Sequence, residues 1–187
     1  IFADAGSTIT TDGDASLSAG RSLYALGDIT AGGDIALQIG SPTIVGPGPG
    51  GPAYFTPQPG DMVVGGDMTA NGEIYLENFA GGDIYIDGTA AIRSDADNLG
   101  TGDGVTIFGY GQVITAAGST INAGAPGAPT AAVSIYAGGT DSADYSAIDL
   151  SGDIEGASLA LYTQGSIHLR DGDITVTGDL FIGTYVD

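Results

Sequence analysis

The side chains that could do chemistry in this chain are almost all oxygen donors. Asp and Glu number 23, against 3 Lys or Arg and 1 His, giving a formal net charge of −20 over 187 residues. Cysteine is absent, which removes thiol nucleophiles, disulfides and cysteine metal sites. The sharpest constellation is Asp95-Ala-Asp97-Asn98-Leu-Gly100-Thr-Gly102-Asp103. Alternating oxygen-bearing side chains with nearby glycine are what a hard cation needs in order to be wrapped. Asp95, Asp97, Asn98 and Asp103 are therefore the candidate calcium ligands, and calcium is the one cofactor expected. The loop fits an EF-hand poorly, because its glycine is misplaced and no Glu closes it, so a solvated acidic loop is the first expectation and calcium the second. Asp141 and Asp144 make a weaker pair of the same kind.

A second set of carboxylates follows glycine directly: Asp28, Asp34, Asp67, Asp83, Asp153, Asp173 and Asp179. A carboxylate after glycine can accept backbone N–H bonds and cap a turn. Stacked on one another, such carboxylates would sit about 5 Å apart and repel unless a cation or water intervened. Turn capping is the first expectation for them and calcium the second.

Catalysis has few candidates. His168 stands between Ile167 and Leu169, so it points outward if they point inward. Arg170 and Asp171 beside it are types used by polysaccharide-cleaving β-helices. A single His, no Lys and no cluster of Arg weigh against that activity, and no enzyme is expected. The aromatic set reads differently. Tyr75, Tyr85, Tyr136 and Phe181 each lie between residues that alternation turns inward, so all four project from the rod, either as ordinary strand residues covered by the Pro-rich loop or as a contact surface. That surface would serve another subunit or the rings of surface glycans. Rows such as Thr8/Thr10 are too irregular for an ice-binding face.

The elements that must hold these side chains follow from repetition. Gly27–Leu37 reads GDITAGGDIAL, Gly66–Leu76 reads GDMTANGEIYL and Gly172–Ile182 reads GDITVTGDLFI. Each copy carries two short runs with apolar residues at alternate positions, among them Ile35/Leu37/Ile39, Ile84/Ile86, Val133/Ile135 and Leu159/Leu161. Period two over a few residues is a strand pattern, and no stretch shows helical periodicity. Gly-Asp or Gly-Gly separates the runs, supplying positive φ or a tight corner. A sandwich would explain short strands but not why one phrase recurs. The chain is expected to be all-β, a parallel β-solenoid in which similar side chains stack in ladders. Coils of about 18–22 residues give about seven or eight rungs, a rod roughly 35 Å long.

One solenoid domain over 1–187 is expected, with loop insertions over 41–60 and 94–104. The first of these, SPTIVGPGPGGPAYFTPQPG, is too rich in proline for a central strand, and Tyr54 and Phe55 are read as folding it onto the rod. Gly124–Pro129 is a smaller excursion. The negative charge excludes nucleic acid as a partner, and no apolar run approaches the 18 or so residues of a membrane span.

The GDITAGGDIAL phrase resembles the repeats of filamentous-haemagglutinin-type adhesins, secreted bacterial β-helices written in variations of GGDI-x-L-x-A-G. That resemblance covers most of the chain outside the two long loops, and it implies an extracellular or cell-surface location. Bactofilins, polymerising cytoskeletal β-helices, share the Gly-Asp-Ile phrase more weakly. Neither terminus reads as a capping helix. The expected function is an extracellular structural protein that joins copies of itself head to tail into a filament or adhesin fibre. A calcium- or carbohydrate-binding surface module is the alternative.

Overall fold

The computed structural model describes residues 1–40, 60–100, 104–139 and 146–184. Every regular element among them is a β-strand. Three strands make one turn of the chain. The first coil runs through Phe2–Ala3, Thr8–Thr11 and Ala15–Ala19, and the second through Leu23–Ala25, Asp28–Ala31 and Ile35–Ile39. The third follows with Met62–Val64, Met68–Ala70 and Ile74–Asn78, and the fourth with Ile84–Ile86, Ala91–Ser94 and Val105–Gly109. The fifth comprises Val113–Thr115, Thr120–Ala125 and Ala132–Ala137. The sixth uses Ile148–Leu150, Asp153–Gly156 and Ser158–Thr163, and the seventh Ile167–Leu169, Ile174–Val176 and Leu180–Thr184.

Corresponding strands pair in parallel from coil to coil, so the chain is a parallel β-solenoid with three faces. The first and third faces hold 7 strands each. The second holds 8, because Ala128–Pro129 folds back antiparallel on Thr120–Ala125 as a small hairpin.

Register explains why the phrase repeats. On the third face Leu17, Leu37, Leu76, Ile107, Ile135, Leu161 and Ile182 form one continuous column. On the second, Ile9, Ile29, Met68, Ile92, Ile121, Ile154 and Ile174 form another. These inward columns, apart from the exposed Ile182, meet in a single core. Burial of each such side chain contributes about 1.5–3 kcal/mol, which makes the columns the main stabilising term. The register continues across the 41–59 insertion, since Ile39 pairs with Asn78. Residues 41–59, 101–103 and 140–145 lie outside the described residues. With them lie Tyr54, Phe55, Asp103, Asp141 and Asp144.

The corners decide between the two expectations for their glycines. Gly27, Gly33, Gly66, Gly72, Gly82 and Gly111 do not have positive φ. They are glycine because neighbouring coils approach too closely for a side chain. A Cβ on Gly82 would lie 2.1 Å from the carbonyl oxygen of Gly60, and one on Gly111 would lie 2.2 Å from that of Gly82.

The Asp after each glycine completes the arrangement. The Asp34 N–H donates to Asp14 Oδ1 at 3.0 Å, and the Glu73 N–H to Asp34 Oδ1 at 2.8 Å. At the next corner Asp67 N–H donates to Asp28 Oδ1 at 3.1 Å and Ala91 N–H to Asp67 Oδ1 at 3.0 Å. At the third, Asp83 N–H donates to Asp61 Oδ1 at 3.2 Å and Gln112 N–H to Asp83 Oδ1 at 2.8 Å. Asp173 N–H donates to Asp153 Oδ1 at 2.9 Å. These carboxylates serve the following coil rather than their own turn. Gly-Asp is thus a two-coil device: the aspartate reaches across, and the next coil's glycine leaves it room. A buried Asn78 locks the corner from within, its amide donating to the Gly60 and Gly82 carbonyls at 2.9 Å each.

Candidate functional site

Alternation that sends Val105, Ile107 and Gly109 into the core sends Thr106 and Phe108 outward on the third face. Parallel register then stacks the outward positions as Gln38, Glu77, Phe108, Tyr136 and Tyr162. Phe181 sits one column over, opposite Ala160, but its ring leans across Gly183 onto Tyr162. Tyr136 and Tyr162 stack at 5.0 Å between centroids with 1° between planes, and Tyr162 and Phe181 at 4.8 Å with 28°. Phe108 lies 6.2 Å from Tyr136 and 5.6 Å from both Phe79 and Tyr110. An aromatic stripe therefore runs from the third coil to the seventh.

Beside the stripe is a cavity of about 310 Å³ lined by Glu77, Phe79, Thr106, Phe108 and Tyr136. Gln38 Nε2 donates to Glu77 Oε2 at 2.5 Å, which orients that carboxylate. Next to it, Glu73 Oε1 accepts the Thr106 hydroxyl at 3.1 Å and Glu73 Oε2 accepts the Tyr75 hydroxyl at 2.5 Å. That hydrogen bond, with burial adding to it, pushes the Tyr75 phenol up to about 12.

Of the four expected contact aromatics, the third face brings Tyr136 and Phe181 together through Tyr162. Tyr75 is on the same face but belongs to the hydroxyl and carboxylate network. Tyr85 is on the first face, in the outward column Tyr24, Val63, Tyr85 and Ile114. Phe79, Phe108, Tyr110 and Tyr162 were not singled out by sequence reasoning. Phe108 and Tyr162 escape a search for aromatics between two apolar side chains, since Gly109 and Thr163 fill the inward position on one side. Following the alternation one step further, onto small inward residues, would have found both.

The expected calcium loop is held by its own hydrogen bonds. Asp95 is buried; both its oxygens accept the Gly100 N–H at 3.2 Å, and Oδ2 also accepts the Thr130 hydroxyl. Asp97 Oδ1 accepts the Leu99 N–H at 3.2 Å, and the Asn98 N–H donates to the Asp95 carbonyl at 2.9 Å. Asp95 and Asn98 adopt left-handed backbone, with φ of 46° and 57°. Among the described residues, no group of three or more His, Cys, Asp or Glu side chains is placed to hold a metal ion.

His168 is exposed, as its place between Ile167 and Leu169 predicts. Its register neighbour Asp149 is buried and paired with Arg170, whose Nε and Nη2 donate to the two carboxylate oxygens at 2.5 and 2.6 Å. Those bonds hold the Asp149 carboxyl below the usual range. Compared with protein-family models, curated proteins and solved structures, the chain gives no match.

Proposed function

We propose that this chain is a structural rod of an extracellular or cell-surface fibre, lengthened by stacking coil on coil between copies, and not an enzyme. The observation that carries the reading is the change in exposure at the seventh coil. Leu150, Leu159 and Leu161 of the sixth coil are 2%, 1% and 0% exposed. Their column neighbours Leu169, Leu180 and Ile182 are 43%, 55% and 50% exposed. An apolar cross-section bordered by strand edges asks for one more coil.

The occupant proposed for it is a further coil of the same outline, and the first coil of a second copy can supply one. That coil offers the same three-strand outline and the half-buried apolar residues Ile9 and Leu17. Such a contact is heterologous, so it propagates rather than closing. The adhesin-like repeat phrase supports the extracellular setting. The commitment of corner carboxylates to backbone N–H groups supports a structural rather than catalytic role for them.

Sedimentation and light scattering test the reading. Assembly should rise with protein concentration, and Leu180→Asp together with Ile182→Asp should abolish it while circular dichroism stays all-β. A parent chain that remains monomeric at high concentration, or a double variant that assembles like the parent, would overturn it.

A further inference from the structure

We propose that the cavity bounded by Glu77, Phe79, Thr106, Phe108 and Tyr136 binds an organic cation, an alkylammonium or guanidinium head group. This inference stands apart from end-to-end assembly, since the cavity lies on the flank of the third to fifth coils. Three aromatic rings and one carboxylate line a space of about 310 Å³. The π faces of aromatic rings carry negative potential and attract a cation within about 6 Å of their centroids. Phe108 is inclined 42° to both Phe79 and Tyr136, so these rings form wedges rather than one open plane. With centroids 5.6 and 6.2 Å apart the rings touch, so a compact head group rests at the mouth of these wedges rather than between the rings.

A flat sugar ring, by contrast, needs an uncovered platform. Further along the stripe such platforms are used up, because Tyr136, Tyr162 and Phe181 stack on each other.

Charge selects in the same direction. The net charge of −20 concentrates cations over the whole surface. Small inorganic ions keep their hydration shells and gain nothing from an apolar lining, whereas an organic cation gains both π contact and the Glu77 carboxylate. The protein's own cations are scarce. Arg93 donates to the Gly124 and Ala96 carbonyls at 3.2 Å each, and Arg170 is bound to Asp149.

The test titrates the full chain, at constant ionic strength, with tetramethylammonium chloride and in parallel with N-acetyl-arginine amide, following aromatic NMR resonances. Cellobiose serves as the neutral probe and sodium chloride as the reference. Expected are saturable shifts at Phe79, Phe108 and Tyr136, with the tighter of the two cations marking the head group as ammonium or guanidinium. Glu77→Gln and Phe108→Leu should each weaken binding by about tenfold, while Tyr85→Phe on the first face leaves it unchanged. The Gln variant is isosteric and outward-facing, so it keeps the test valid if Phe108→Leu perturbs the fold. Shifts no larger than those from sodium chloride, parental affinity in both variants, or a response to cellobiose alone would each overturn the proposal.

Discussion

Single side chains here take their properties from the coil above or below as much as from their own neighbours. Tyr75 shows this in a form that can be measured. Its hydroxyl donates to Glu73, and that bond holds the proton up to about 12. A phenol whose folded value lies above the ordinary one, about 10, contributes stability that is fully present below pH 10. That contribution is lost as pH rises through 12. Phenolate absorbance should therefore show a component titrating near pH 12. Tyr75→Phe should remove that late component and nothing else. A titration curve identical in the variant would place the perturbed phenol elsewhere.

At the scale of elements, the unit is the corner pair of Gly and Asp on successive coils. A Cβ on Gly72 would lie 2.0 Å from Asp34 Oδ1, the atom that accepts the Glu73 N–H. Gly72→Ala should destabilise by about 2–3 kcal/mol, and Asp34→Ala by about 1–2 kcal/mol. The double variant should cost less than the sum, because removing the carboxylate frees the space the new methyl needs. Urea unfolding of the four proteins measures the coupling; simple additivity would mean that the two residues act independently.

Much of this layer is legible in the sequence, and the limit has a physical cause. Period-two runs such as Ile35/Leu37/Ile39 and Val133/Ile135 name the inward faces directly, since a strand sends alternate side chains to opposite sides. The recurring Gly-Asp phrase names the corners. What it hides is the direction of the bond, because a carboxylate capping its own turn and one reaching the next coil are written with the same two letters. Nor does local pattern bring Glu77, Phe108 and Tyr136 together: that column depends on register between coils separated by irregular insertions.

At the scale of the whole molecule, charge opposes what the columns achieve. With a net charge of −20, carboxylates at successive corners repel along the rod, and mobile ions screen this over about 8 Å at physiological ionic strength. Melting temperature should rise with sodium chloride between low salt and about 0.15 M, read by circular dichroism, most of it before the Debye length falls below the corner spacing. A melting temperature independent of salt would mean that the corner N–H bonds already neutralise the repulsion. The same corner bonds also have a mechanical meaning. Each runs from a carboxylate on one coil to an N–H on the next, always in the same sense, so the rod has a direction as an arrow does. Pulled along its length it is expected to give way by peeling from an end, one coil after another. A coil of about 20 residues then lengthens from about 5 Å to roughly 70 Å of extended chain. A tether made this way resists small loads at fixed length and absorbs large ones by paying out line.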